Sequence, residues 1–205
     1  MSALHVRCSW CGQDPLYVAY HDTEWGVPVR DEAALFERLI LEGAQAGLAW
    51  ITILRKREGY RRAFENFDAE RIARYGDEDR ARLMADAGIV RNRLKIDATI
   101  GNARALLALH ERGETLAGLL WEQVDGQPLI NHWRRPADCP STTDLSDQLS
   151  KRLAQRGFRF VGSTIVYAWM QSVGVVNDHM VDCFRHRELV RPLPPHPALR
   201  ATLSR

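Results

Sequence analysis

Asn177–Cys183 reads NDHMVDC and sets His179 and Cys183 four residues apart, where the apolar helix pattern of Ser163–Val173 runs out. Residues at i and i+4 share a helical face, so an imidazole and a thiolate at this spacing are either two ligands able to hold one ion or two neighbours on that face. A closed zinc site takes four ligands, and the rest have to come from elsewhere in the chain. The stretch from Arg7 to Gly26, RCSWCGQDPLYVAYHDTEWG, offers Cys8, Cys11 and His21. Cys8 and Cys11 form a CxxC, the tight thiolate pair of many zinc sites. Two ligand sets fit the spacing. One joins Cys8, Cys11 and His21 to one residue of the C-terminal pair. The other is Cys8, His21, His179 and Cys183, which closes a loop of about 160 residues, where a cross-link in principle gains most. Cys139 and His132, in a proline-rich stretch, have no partner at helical spacing.

Around these ends the pattern is helical almost throughout, which predicts an all-α fold. Asp31 reads as the N-cap of a helix over 31–43 with apolar positions at Leu35, Leu39 and Ile40. Further helices are expected at 45–57, 58–67, from Asp68, at 77–86, 95–112, 115–122, Ser146–Arg156 and Ser163–Val173. Residues 124–143 form the longest irregular part, broken by Gly126, Pro128, Pro136 and Pro140. Only GFRFV at 157–161 alternates like a strand, and it is too short to build a sheet. One domain is expected over 1–187, followed by a Pro-rich tail, 188–205.

The 205 residues are 45% hydrophobic and 26% charged, which suits a compact fold rather than disorder. Net charge is only +2, but all cationic side chains except Lys56, Lys95 and Lys151 are Arg, which permits a nucleic-acid partner without demanding one. No apolar run is long enough to span a membrane and the N-terminus lacks a signal peptide's apolar core, so a cytoplasmic protein with reduced thiols is expected.

Two further constellations carry chemistry. Trp10, Tyr17, Tyr20 and Trp25 crowd into sixteen residues, and LILEGAQAGLAWITIL places Glu42 in an apolar run with Trp50 beyond it. Clustered aromatics fit a pocket for a planar ligand, and a carboxylate among apolar residues is either at a wet helix end or buried with a shifted pKa. In DAGIVRNRLKI, 86–96, a turn opened by Gly88 leads into a helix flanked by Arg91, Arg93 and Lys95, a cradle suited to a phosphodiester.

Taken together, QDPLYVAYHDTEWGVP, LEGAQAGLAWITILRKR, DAGIVRNRLKI, GFRFVGSTIVYAWMQSVGVVNDH and a terminal Cys closely resemble the constitutive-type bacterial 3-methyladenine DNA glycosylases, over about residues 7–183. The resemblance implies a helix-hairpin-helix glycosylase fold of two helical lobes with a cleft, its termini joined by one structural zinc ion on Cys8, His21, His179 and Cys183, with Cys11 a bystander. It implies base-excision repair of alkylated double-stranded DNA by flipping and hydrolysis, without lyase activity. Glu42 is then the carboxylate that reads the base edge, with Trp10, Tyr17, Tyr20, Trp25 and Trp50 as aromatic walls. The hairpin matches 86–96, with Leu94 standing where a Gly is expected. Gly47 and Leu48 are expected to plug the gap left by the flipped base. A monomer is expected.

Overall fold

In the computed structural model the described residues are 5–190; the part of the tail from 191 onward, including its prolines, lies outside them. Ten helices follow in order: α1 (Pro15–Thr23), α2 (Glu32–Gln45), α3 (Trp50–Ala63), α4 (Ala69–Ala73), α5 (Asp77–Ala85), α6 (Arg93–Glu111), α7 (Leu116–Trp121), α8 (Asp144–Gln155), α9 (Ser163–Ser172) and α10 (Phe184–Val190). Side-chain caps fix many of the starts. Asp14, Asp31, Asp68, Asn92, Thr115 and Thr143 each accept a hydrogen bond from an amide of the first turn, satisfying donors a helix cannot use itself.

Helix α2 organises the molecule. Leu35, Phe36, Leu39, Ile40 and Leu41 are fully or nearly buried, and the helix touches α3, α6, α7 and α9. In turn α4 packs on α6 and α8 on α9, and a single hydrophobic cluster runs through all of them. A second, small cluster of Cys8, Met180 and Cys183 closes the chain ends together. Glu24, just past α1, pairs with Arg38 of α2 and Arg57 of α3, tying three helices at one point.

Four expectations are corrected. Residues 45–49 do not begin a helix: α2 stops at Gln45, and Gln45–Leu48 make a type II turn with Gly47 at φ +78° and the Leu48 amide donating to the Gln45 carbonyl (2.6 Å). Helix α3 then runs unbroken across the boundary expected at 57/58. The GFRFV stretch is no strand. Gly157 (φ +89°) ends α8, Phe160 is left-handed, and the Asn102 amide group both donates to and accepts from the Arg159 backbone, taking the place of a strand partner. The strands are instead β1 (Leu129–Ile130) and β2 (Val176–Asn177), parallel, with Leu129 opposite Val176. Finally, 177–183 is not helical; α10 starts at Phe184 and ends at Val190.

Candidate functional site

Helices α1 and α9, the last turn of α2 and the first of α3 meet at a cavity of about 400 Å³. Pro15 opens α1 where a missing N–H costs nothing, so this proline starts the aromatic segment's helix rather than breaking it. Tyr17 and Tyr20, three residues apart, face the cavity together. Trp10 lies 5.0 Å from both the Tyr17 and the Trp25 rings, and Trp50 at the start of α3 lies 5.4 Å from Tyr20. Glu42, in the last turn of α2, completes the wall; all six residues that the sequence assigned to the pocket line this one cavity.

Glu42 is buried, which settles the choice between a wet helix end and an apolar site. Burial pushes its pKa up to about 7, against the opposing pull of the Ser172 hydroxyl and the Arg38 charge. The Tyr20 phenol is raised well above its ordinary value, by burial first and by Glu42 second. The Arg38 guanidinium sits 5.4 Å from the Tyr20 ring centre, behind the pocket. The buried indole N–H of Trp50 has no acceptor among the described residues.

Among the lining residues that escaped sequence reasoning, Asp178 has the most side-chain hydrogen bonds. Asp178 is buried and accepts hydrogen bonds from Asn131 (2.6 Å), Trp133 (2.8 Å), Tyr167 (2.6 Å) and Gln171 (2.7 Å). It thereby fastens the proline-rich loop, whose Pro136, Cys139 and Pro140 also line the cavity, to α9 and to the segment carrying His179. Its signal was present but silent: an acid next to an expected ligand reads as solvent-facing until its donors, 7 to 47 residues away, are known.

Beside the pocket, Cys8, His21, His179 and Cys183 bring their ligand atoms within 4.8 Å of one another, all buried. Three sulfur–nitrogen separations are 3.5 Å, the edge length of a tetrahedron with metal–nitrogen bonds of about 2.0 Å and metal–sulfur bonds of about 2.3 Å. Each imidazole is oriented from behind. His21 Nδ1 faces Asp22 (2.7 Å), itself held by Arg7, and His179 Nε2 faces the Trp25 carbonyl (3.1 Å). These contacts turn His21 Nε2 and His179 Nδ1 toward the sulfurs, with only a long bond from the Cys8 amide to His21 Nε2 (3.4 Å), the outer-shell arrangement of a metal-binding histidine. The residues present fit a metal ion. The Cys183 thiol is strongly lowered by the Cys8 thiol and the two imidazoles, while Cys8 is raised. Cys11 stays outside, its thiol donating to the Cys8 carbonyl (3.2 Å). A turn, not a helix face, brings His179 and Cys183 together.

The hairpin between α5 and α6 packs tightly on α3. A Cβ at Gly59 would meet the Gly88 carbonyl oxygen at 2.2 Å, Lys56 donates to the Ala87 carbonyl (2.6 Å), and the Val90 amide donates to the Tyr60 hydroxyl (3.2 Å). Arg91 and Arg93 are exposed, and the amides of Arg91, Arg93 and Leu94 have no acceptor among the described residues. Gly88 gives its amide to Asp86 (2.6 Å), so it shapes the turn and has no free donor. Leu94 sits in the first turn of α6, 71% exposed, where helical backbone needs no glycine. Lys95 stands apart from the two arginines: its ammonium donates to the carbonyls of Ala44 (2.8 Å) and Ala46 (2.7 Å). Gly47 and Leu48 lie at the tip of the α2–α3 turn, between the cavity-lining Gln45 and Trp50, with the Leu48 side chain exposed.

Comparison with known proteins comes to the same place. The methyladenine glycosylase family model matches residues 10–186. The DNA-3-methyladenine glycosylase 1 of Escherichia coli (strain K12) is 52% identical over 177 residues, covering 86% of this chain and 95% of that protein. A crystal structure of 3-methyladenine DNA glycosylase I superposes with a TM-score of 0.86 at 54% identity, covering 87% of this chain and 98% of the other. A Staphylococcus aureus 3-methyladenine DNA glycosylase I, whose structure describes 3-methyladenine recognition, gives a TM-score of 0.85 at 35% identity over 93% of this chain and 97% of its own.

Proposed function

The chain belongs to the methyladenine glycosylase family, and from that membership and the geometry of its pocket we propose that it hydrolyses the N-glycosidic bond of 3-methyladenine in alkylated duplex DNA, acting on a base flipped out of the stack. The observation that carries this reading is a buried carboxyl, Glu42, in the wall of an aromatic-lined cavity. A base alkylated at N3 is cationic while attached to the sugar. Indole and phenol faces favour such a cation, and a low-dielectric carboxylate favours it further. A damaged, weakly paired base also costs least to extrude.

Because the alkylated base leaves as a neutral molecule, little acid catalysis is required. Glu42 selects by hydrogen bonding to the adenine edge, and water attacks the anomeric carbon. The reaction is monofunctional: among the described residues no lysine lines the cavity, and Lys56 and Lys95 are bound to backbone carbonyls. Helices α5 and α6 with the turn between them act as the helix-hairpin-helix, where Arg91, Arg93 and the free amides beside them hold a phosphate. Leu48, presented by the Gly47 turn, fills the space the base vacates. One structural zinc ion sits on Cys8, His21, His179 and Cys183. The enzyme works as a monomer in the cytoplasm.

Quantifying the free bases released from methylated duplex DNA tests the reading. Selective release of 3-methyladenine is expected, reduced at least tenfold in Glu42→Ala and in Tyr20→Ala. Folded, metal-replete protein releasing nothing above the spontaneous rate would leave a DNA-binding module without catalysis.

A further inference from the structure

The three cationic residues of the hairpin do not do the same work. Arg91 and Arg93 are exposed, whereas Lys95, four residues from Arg91, is half-buried with its ammonium turned inward. Its acceptors are not neutral bystanders. Ala44 contributes one of the last four carbonyls of α2, which have no partner within the helix, and Ala46 is the residue after its end. A cation there also meets the negative end of the α2 dipole.

Those two carbonyls bracket the start of the turn that presents Leu48. Among the described residues the turn is otherwise held by its own backbone, where the Ala46 amide also donates to the Gly43 carbonyl (3.3 Å). The Leu48 amide closes it on Gln45, Gly47 supplies the left-handed residue, and a Cβ at Gly47 would touch nothing within 4 Å. Gln45 before it and Trp50 after it line the cavity. Lys95 is in turn fixed at its own backbone, its amide capped by the Asn92 side chain (3.1 Å). A single side chain therefore bridges the start of the hairpin helix and the rim of the pocket.

We infer that Lys95 is a positioning residue that locks the α2–α3 turn to the hairpin, so that gripping the DNA backbone and inserting Leu48 are movements of one rigid body. The inference rests on the glycosylase reading for the meaning of the two elements, but the lock itself belongs to the DNA-free protein. Burial lowers the Lys95 pKa, in keeping with an ammonium committed to the interior rather than to a phosphate in water.

Lys95→Met keeps the length of the stem and removes the donors; Lys95→Arg keeps the charge. In the free protein, Lys95→Met is expected to speed hydrogen exchange of the Leu48 amide about tenfold or more, while amides in the middle of α6 are unchanged. Unchanged exchange at Leu48 would overturn the lock whatever the enzyme's substrate is. With duplex carrying an abasic site, Lys95→Met is expected to weaken binding about fivefold with no change in the slope of log K against log salt, and to have no further effect when Leu48 is already Ala. A slope reduced by about one, with effects that add to those of Leu48→Ala, would make Lys95 a phosphate contact instead. Arg91→Met, run alongside, should show that reduced slope. If wild-type protein does not prefer abasic over intact duplex, the glycosylase reading fails, and the exchange result still decides the lock.

Discussion

Glu42 is kept in the fold at a cost to stability. Its pKa stands at about 7 in the native protein against an ordinary value of 4.5. Between those values the native state holds a proton that the unfolded chain has lost, so stability falls as pH rises from 4.5 through 7. The shift corresponds to about 3 kcal/mol, fully felt above neutral pH and absent below pH 4.5. Glu42→Gln removes the charge with little change of shape. Urea unfolding of the two proteins should therefore differ by about 3 kcal/mol more, in favour of the variant, at pH 8 than at pH 4.5. A difference that does not vary with pH would mean that Glu42 ionises freely in water. The same residue gains from a cationic base, since an arriving positive charge draws the proton off a carboxyl poised near neutrality. The Trp50 indole N–H, buried without an acceptor among the described residues, adds a second polar group at the wall with bonding capacity to spare.

At the scale of elements, the contact between α3 and the hairpin is made by two glycines. A Cβ on Gly59 would sit 2.2 Å from the Gly88 oxygen and 2.8 Å from its carbonyl carbon, both backbone atoms that no rotamer change can move. Gly59→Ala must push the two elements apart, straining the bonds from Lys56 to Ala87 and from Val90 to Tyr60. A loss of about 3 kcal/mol is expected by denaturant unfolding. Gly101, inside α6 with open space where a Cβ would go, is the control: Gly101→Ala should stabilise by up to about 1 kcal/mol. Equal effects at the two sites would show that the hairpin is not seated on α3. Helix α2 was legible from its apolar period and its Asp31 cap, and Asp68 marks the start of α4. The misread elements depend on partners far away in sequence. GFRFV alternates as a strand would, yet its backbone is satisfied by Asn102, and β1 and β2 are two residues each and pair across 47 positions. The pocket's aromatic side and Glu42 were legible because they cluster in sequence. Asp178 and the proline-rich wall were not, since nothing local reveals their burial.

Over the whole molecule, the Cys/His cluster joins the two chain ends, which also meet where the Gly26 amide donates to the Gln171 carbonyl (3.2 Å) and the Val29 amide to the Val173 carbonyl (3.0 Å). Beyond it, the Phe184 amide donates to the Val6 carbonyl (3.0 Å), while the cluster itself belongs to a small apolar group separate from the main core. A metal ion on these four ligands closes a loop of about 160 residues, which in a chain-entropy account is worth about 5 kcal/mol. It also braces the pocket, because Trp25 stands edge-on to His179 at 4.5 Å and Trp10 edge-on to His21 at 5.3 Å. Purified protein should contain one zinc per chain. Stripping it with a chelator under reducing conditions should lower Tm by about 10–20 °C, shift tryptophan fluorescence through Trp10 and Trp25, and slow base release. Cys8→Ser and Cys183→Ser should reproduce the loss of metal, whereas Cys11→Ser should keep the full complement, since that thiol bonds to a carbonyl outside the cluster. Protein isolated without metal, or a Tm indifferent to the chelator, would leave the four residues as a buried polar cluster with no ion. Loss of zinc in Cys11→Ser as well as in Cys8→Ser would restore the CxxC ligand set that the spacing alone also allowed.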